Sequence, residues 1–137
     1  MEMLRSWGFV PELGKHALAR KGYLAGCDGD RLADLERALG DPGIRAIIAS
    51  RGGYGTQRIV DRPQWSRLRS DPKLLVGFSD ITALHLAAWN GAGIASLYAP
   101  GASWDADRLG TVGAASLHSA MTSTGPVVIQ GIGKSVV

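Results

Sequence analysis

Short apolar runs alternate with helix-length stretches along this chain, and that alternation constrains the fold more than any other feature. Ile44 to Ala49, Leu74 to Val76 and Ile94 to Tyr98 are short runs of aliphatic and β-branched residues, typical of buried strands. Ile81 to Trp89, between two of them, has the length and composition of a helix. Strands separated by helices form βαβ units. The sequence therefore predicts the α/β fold class, with a three-layer, mostly parallel sheet flanked by helices.

Other elements follow from periodicity and turn residues. Leu32, Leu35 and Leu39 share one helix face, with capping carboxylates at Asp28-Gly29-Asp30 and a stop at Gly40-Asp41-Pro42. The remaining predicted elements are helices at Gln64 to Arg69 and Asp105 to Thr122, and short strands at Phe9 to Leu13 and Val127 to Ile129.

Both ends of the sequence are abrupt. Met3 to Gly8 reads as the last turns of a helix with no strand before it, and Gly131 to Val137 stops without a closing helix. We therefore expect an incomplete version of the α/β fold.

Composition excludes several classes of protein. The 137 residues are 45% hydrophobic and 20% charged, which is ordinary for one folded domain. A single cysteine cannot form a disulfide framework or a cysteine-based zinc site, so a cytoplasmic location is the default. The net charge of +3 comes from scattered basic residues, and no apolar run is long enough to span a membrane. We predict no nucleic-acid partner, no membrane contact, no metal and no cofactor.

Two loops follow predicted strands, where sites of α/β proteins form. The first reads Ser50-Arg51-Gly52-Gly53-Tyr54-Gly55-Thr56, and its glycines let the backbone approach a ligand closely. A tight turn without a ligand explains this loop equally well. The spacing of its glycines does not match a dinucleotide-binding fingerprint.

The second loop runs from Gly77 to Thr82, directly from a strand into a helix, with Ser79 at the corner. This is the arrangement of a nucleophile elbow, which exposes a serine hydroxyl above the sheet next to the backbone N–H of Asp80. Helix capping by Ser79 or Asp80 is the simpler interpretation, and the residues alone favour it.

A nucleophilic serine needs a base, and the candidates are His16, His85 and His118. His85 lies six residues after Ser79 on the same predicted helix, so it points roughly 120° away and lies about 9 Å along the axis. No motif places the other two histidines near Ser79. The sequence shows a candidate nucleophile without a visible base.

Four motifs occur in order along the chain: Tyr23-Leu24-Ala25-Gly26, Arg31-Leu32-x-Asp34-Leu35, Arg51-Gly52-Gly53-Tyr54-Gly55 and Gly77-Phe78-Ser79-Asp80-Ile81-Thr82-x-Leu84. Together they resemble the LD-carboxypeptidase family, which includes muramoyl-tetrapeptide carboxypeptidases and microcin C immunity peptidases. The resemblance covers about residues 1 to 125, as an N-terminal domain truncated at its start, and implies an incomplete flavodoxin-like or glutamine-amidotransferase-like domain. Residues 126 to 137 would then be the start of an interdomain linker or a stray tail.

The resemblance also implies an activity and site residues. Enzymes of this family are serine peptidases with a Ser-His-Glu triad, which remove the terminal D-alanine from cytoplasmic murein tetrapeptides during cell-wall recycling. By motif match Ser79 would be the nucleophile, and the backbone N–H groups of Asp80 and of the Gly52-Gly53 turn would form the oxyanion hole. Arg51 and Tyr54 would bind the substrate.

The family's His and Glu come from a C-terminal domain, and no position of this sequence matches them. We therefore expect the chain alone to be inactive. The alternatives are a non-catalytic remnant or peptide-binding module, and a peptidase of the microcin C immunity type. The resemblance implies a murein peptide as partner and makes a homodimer plausible.

Overall fold

The computed structural model describes residues 1–128, in which three strands alternate with helices. Two short 3-10 helices, Thr56–Arg58 and Ser79–Ile81, lie after the first and second strands. The helices are α1 (Glu2–Ser6), α2 (Asp28–Gly40), α3 (Arg67–Ser70), α4 (Thr82–Ala92) and α5 (Ala106–Thr122), and the strands are β1 (Ala46–Ile48), β2 (Leu74–Gly77) and β3 (Leu97–Tyr98).

The three strands form one parallel sheet in the order β1-β2-β3. Ala46 pairs with Leu74 at the amino end, and Gly77 pairs with Tyr98 at the carboxyl end. All three carboxyl ends therefore meet at one edge, which confirms the parallel α/β sheet predicted from the sequence.

Apolar side chains cover both faces of the sheet. Leu75 of β2 packs with residues of α2, α3 and α4, among them the fully buried Leu39 and Leu68. Val76 points to the opposite face and packs in one cluster with Leu117 of α5 and Met3 of α1. Alternation along β2 thus separates two cores, and the predicted three layers are present.

Helix α2 shows how local sequence sets an element. Its leucines Leu35 and Leu39 are buried, as their spacing predicts, and the helix ends at Gly40. Its N-cap is Cys27, whose Sγ accepts a hydrogen bond from the backbone N of Asp30 at 3.4 Å. The prediction that carboxylates cap this helix is therefore wrong, because Asp28 is already a helical residue engaged in ion pairs.

Two predicted strands are not formed as expected. Phe9 to Leu13 forms no strand, since within residues 1–128 no strand pairs with the outer edge of β1, and Pro11 lacks an N–H. The run from Ile94 forms a strand only at Leu97–Tyr98. Val127 and Val128 lie outside any strand, and Ile129 falls beyond the described residues.

A wide cavity of about 1060 Å³ lies along the outer edge of β1. Because the backbone of Arg45 and Ala49 bonds to β2, the alternating pattern directs the polar groups of Ala46 and Ile48 towards this cavity. The cavity extends from Phe9 to the glycine-rich loop at the carboxyl edge.

Lys73 organises the opposite, amino edge of the sheet. Its side chain is fully buried, and its ammonium donates hydrogen bonds to the carbonyls of Asp41 and Ile44 at 2.7 and 2.8 Å and to the carboxylate of Asp71 at 2.6 Å. A buried ammonium with three acceptors is a satisfied structural group.

Candidate active site

Ser79 stands at the corner between β2 and the following helices in a backbone conformation that serine rarely adopts. Its φ is +60°, and no other non-glycine residue within residues 1–128 has a positive φ. The left-handed region costs an L-residue roughly 1–2 kcal/mol, so the surrounding structure must hold it there. The side chain is exposed above the carboxyl edge of the sheet.

Two hydrogen bonds hold the Ser79 backbone. Its N–H donates to the hydroxyl of Tyr98 at 3.2 Å, and its carbonyl accepts from the Thr82 hydroxyl at 2.6 Å. The Ser79 hydroxyl itself has no hydrogen bond to the described residues. The corner therefore fixes the main chain and leaves the side-chain oxygen available.

The capping interpretation of this corner is wrong. Neither the 3-10 helix that starts at Ser79 nor α4 has a side-chain cap. The Asp80 carboxylate instead accepts a hydrogen bond from the backbone N of Thr56, at 2.9 Å, in the glycine-rich loop. The two loops singled out from the sequence are therefore joined directly.

Gly77 and Ile81 share the space on which the sharp turn depends. A methyl group on Gly77 would lie 2.6 Å from Cγ2 of Ile81. Such turns usually have small residues on both sides of the serine, and here the absence of a side chain at Gly77 makes room for the larger Ile81. Ile81 departs from the usual pattern of small residues, and the missing side chain of Gly77 accommodates it.

The glycine-rich loop packs against the serine corner. A methyl group on Gly52 would lie 3.0 Å from Cβ and 3.5 Å from Oγ of Ser79, so only glycine allows this approach. Gly53 follows with φ of +142°. The backbone of this loop therefore runs directly beside the serine side chain.

An ion network fixes the far side of the glycine-rich loop. Arg31 donates to the carbonyl of Gly55 at 2.9 Å, and both Arg31 and Arg58 bind the carboxylate of Asp28. The hydrogen bond from Arg58 lowers the pKa of Asp28 to about 2, with Arg31 adding to the effect against partial desolvation. Asp28 is therefore ionised at neutral pH and holds the two arginines under the loop.

The segment after β3 closes the edge from a third side. The backbone N of Ala102 donates to the carbonyl of Ala49, and that of Ser103 to the carbonyl of Ser50, at 2.9 and 2.8 Å. Trp104 then packs edge-on against Phe78, with ring centroids 6.0 Å apart. The strand ends, the serine and the glycine loop thus form one site.

Comparison with known proteins identifies the domain. Residues 1–99 match the family model described as the LD-carboxypeptidase N-terminal domain. The chain belongs to the LD-carboxypeptidase family. This confirms the resemblance carried by the four motifs.

Three related proteins show the extent of the likeness. A Streptomyces coelicolor protein with a carboxypeptidase name is 45% identical over 104 residues, covering 73% of this chain and 34% of that protein. The murein tetrapeptide carboxypeptidase of Pseudomonas aeruginosa is 39% identical over 101 residues, covering 73% and 33%. The crystal structure of an MccF-like protein from Bacillus anthracis superposes with a TM-score of 0.79 at 25% identity, covering 89% and 37%. The chain spans about a third of the length of these curated relatives.

The histidines of the LD-carboxypeptidase domain are engaged elsewhere. His85 is buried, and its Nε2 bonds to the carbonyl of Gly77 at 3.1 Å; because a carbonyl only accepts, Nε2 carries the proton. His16 Nδ1 lies 3.1 Å from Asp34, and His118 stacks on Trp7. Within residues 1–128 no histidine bonds to Ser79.

Sequence reasoning missed the contact from Tyr98 and the Asp28 network. Tyr98 is the last residue of β3, the strand next to β2, so its position at a strand end could have placed it at the carboxyl edge near Ser79. Asp28 and Arg31 form a local i,i+3 pair on α2, but the bonds from Arg31 to Gly55 and from Arg58 to Asp28 span 24 and 30 residues, and no local pattern predicts them. The expected substrate-binding residues Arg51 and Tyr54 are both exposed at the same edge.

Among the described residues there is no cluster of three potential metal ligands. The helices of that part of the chain are also too short or too polar to cross a membrane.

Proposed function

We propose that this chain carries the nucleophile and oxyanion hole of a serine LD-carboxypeptidase acting on the terminal D-alanine of murein tetrapeptides. The observation that carries the proposal is the exposed Ser79 at φ +60° with the Gly52 backbone packed against it. A strained, fixed and otherwise unused hydroxyl is what an attacking serine requires.

In the proposed reaction Ser79 Oγ attacks the carbonyl carbon before the terminal D-alanine, and its proton passes to a base. The oxyanion accepts hydrogen bonds from the backbone N–H of Asp80 and of the Gly52-Gly53 turn. The C–N bond then breaks, the amine leaves with a proton, and water releases the acyl group from Ser79. Arg51 and Tyr54 hold the remainder of the peptide.

We propose that the base and its acidic partner come from outside these residues. His85 cannot serve as the base, because its protonated nitrogen donates to Gly77 and its other nitrogen is buried without a partner among the described residues. A serine without its base loses most of its activation, so the chain alone is inactive. The proposed location is the cytoplasm, which rests on the single cysteine.

Identity favours the carboxypeptidase over the immunity type. The chain is 39% identical to the Pseudomonas murein tetrapeptide carboxypeptidase and 25% identical to the Escherichia coli protein MccF over similar lengths. We therefore retain the murein peptide as the proposed substrate.

The test is a chimera in which residues 1–99 replace the matching segment of the Pseudomonas enzyme. We expect D-alanine release from a murein tetrapeptide, and a loss of at least about a thousandfold in Ser79→Ala. A chimera that is folded by circular dichroism but inactive would contradict the proposal. The isolated 137-residue chain should release no D-alanine. Release that disappears in Ser79→Ala would show that a base lies within it.

A further inference from the structure

The sheet ends immediately before the serine corner. Gly77 and Tyr98 are the last paired residues of β2 and β3, and the backbone N of Ala99 donates to the Gly77 carbonyl at 3.0 Å. Ser79, two residues after Gly77, has no strand neighbour within residues 1–128. Its backbone N–H therefore needs a partner from a side chain or from solvent.

His85 holds the carbonyl that precedes the corner. Its Nε2–H donates to the Gly77 carbonyl at 3.1 Å, and the same oxygen accepts the bond from Ala99, so both of its lone pairs are used. The imidazole is 9% exposed on α4, where little water competes for this bond. The end of β2 is therefore tied to its neighbouring strand and to α4 at one atom.

Tyr98 holds the next peptide plane, which joins Phe78 to Ser79. The N–H of that plane donates to the Tyr98 hydroxyl at 3.2 Å, and its carbonyl accepts from the backbone N of Ile81 at 3.2 Å. On the other side of the Ser79 Cα, the Ser79 carbonyl accepts from the Thr82 hydroxyl at 2.6 Å. The φ and ψ of Ser79 describe how these two planes are rotated about its Cα. Bonds that hold both planes therefore hold φ at +60°.

The two ring side chains also contact each other. The ring centroids of His85 and Tyr98 lie 6.3 Å apart, with planes inclined by 54°. Tyr98 is 65% exposed, whereas His85 is buried beneath it. Contact with a buried ring restricts where the exposed tyrosine places its hydroxyl. The pair thus links the interior beside α4 to the backbone of Ser79.

We propose that Tyr98 and His85 are positioning residues for the Ser79 nucleophile. Tyr98 holds the Ser79 N–H, and His85 holds the carbonyl two residues earlier, so the serine stays in its left-handed conformation with Oγ above the carboxyl edge. Without these bonds Ser79 can relax towards a less strained φ, and Oγ moves away from the position of attack. This role rests on the proposed function and assigns His85 to it as a hydrogen-bond donor.

The first measurement uses the 137-residue chain and needs no catalysis. Amide hydrogen exchange is followed by NMR in the wild type and in Tyr98→Phe, which removes only the hydroxyl. We expect exchange at Ser79 to accelerate at least about fivefold, with the amides of Leu75 and Val76 unchanged. Tyr23→Phe alters a tyrosine that is 75% exposed and should exchange like the wild type. Unchanged exchange at Ser79 in Tyr98→Phe would overturn the role of Tyr98.

The second measurement determines kcat and KM in the chimera that carries residues 1–99. Tyr98→Phe should lower kcat at least about tenfold and leave KM unchanged, because a misplaced Oγ slows the attack without altering how the peptide binds. Tyr23→Phe should keep both constants. A raised KM with an unchanged kcat would make Tyr98 a substrate-binding residue and overturn its positioning role.

Two variants of His85 separate donation of a hydrogen bond from proton transfer. His85→Gln keeps an N–H near the position of Nε2, whereas His85→Leu keeps only apolar volume. We expect His85→Gln to retain kcat within about threefold with the same pH profile, and His85→Leu to lose at least about tenfold. In the 137-residue chain, His85→Leu should also accelerate exchange at Ser79, and His85→Gln should not.

The His85 variants can also contradict the proposal. A loss in His85→Gln as large as that in Ser79→Ala would mean that His85 is the base, and a fully active His85→Leu would mean that its bond is dispensable. If His85→Leu does not fold by circular dichroism, His85→Gln decides alone. A wild-type chimera without activity would contradict the proposed function, whereas exchange at Ser79 would still decide whether Tyr98 and His85 hold the corner.

Discussion

At the amino edge of the sheet a charged side chain is buried with its hydrogen bonds made, whereas at the carboxyl edge a small polar side chain is exposed on a strained backbone. Lys73 donates to three acceptors and is fully enclosed. Ser79 has a positive φ, and within residues 1–128 its hydroxyl has no hydrogen-bond partner. The amino edge satisfies its buried charge with hydrogen bonds, whereas the carboxyl edge holds an exposed hydroxyl on a strained backbone at a cost in stability.

The largest effect should come from Lys73→Met at the amino edge. The substitution keeps an aliphatic chain but removes the Lys73 donor from the carbonyl of Ile44 and from the carboxylate of Asp71, and it leaves the Asp41 carbonyl with only the backbone N–H of Ile44. We expect a loss of about 3 kcal/mol in the free energy of unfolding, measured by urea denaturation. Lys15→Met, at an exposed position, should stay within about 0.5 kcal/mol of the wild type. Equal effects of the two variants would remove the contrast between the edges.

Gly77→Ala tests the packing under the strained corner. The new methyl group would lie 2.6 Å from Ile81, so we expect a loss of about 2 kcal/mol from overpacking. Ile81→Ala should recover part of that loss in the double variant, which a double-mutant cycle measures as coupling. Gly29→Ala, whose methyl group meets nothing closer than 3.9 Å, is the matched control and should not destabilise. Additive effects of the two substitutions would contradict the shared space.

The sequence predicted the structural features that depend on residues close together in the chain. The runs at Ile44 and Leu74 became parallel strands because their aliphatic residues cover both faces of a central sheet. The prediction of a strand at Phe9 to Leu13 was wrong because a strand needs a hydrogen-bonded neighbour, and the residues of the segment itself do not determine whether one is present.

The same distinction applies to the site. Ser79 was found through the local pattern of strand, turn and helix, but that pattern favoured capping, which the structure excludes. The Asp80 carboxylate bonds to Thr56, 24 residues away, and no local spacing reveals such a partner. The hydrogen bond between Tyr98 and the Ser79 backbone joins residues 19 apart, so local spacing does not reveal it either. Residues were predictable, and the partners that fix their roles were not.

Ser79→Gly should stabilise the protein, opposite in sign to the change at Lys73. Glycine accepts φ of +60° without strain, and after its greater entropy in the unfolded chain we expect a gain of roughly 0.5–1 kcal/mol. Ser79→Ala keeps a Cβ and its strain, so its unfolding free energy should match that of the wild type. Thermal and urea unfolding of the three proteins give the comparison. A less stable glycine variant would mean that the corner stores no strain.

The smallest effect is a local response to acid at the carboxyl edge. The pKa of Asp28 is lowered to about 2, chiefly by Arg58, so the carboxylate stabilises the fold above its unfolded pKa of 3.8. That contribution is lost as the pH falls from about 4 to about 2, because protonation releases both arginines from Asp28. Amide hydrogen exchange in residues 51–58 should therefore accelerate over this range. In Asp28→Asn it should already be fast at neutral pH.

Asp71→Asn provides the matched comparison at the other edge. Lys73 and then Arg45 lower the pKa of Asp71, so its loss should affect amides near the start of β2 and leave the glycine-rich loop unchanged. If amide exchange in the loop changes neither at low pH nor in Asp28→Asn, the arginines do not hold the loop. Loop amides that respond equally to Asp71→Asn would show that the two edges unfold as one unit. Separate responses would mean that the loop beside Ser79 can loosen while the amino edge stays intact.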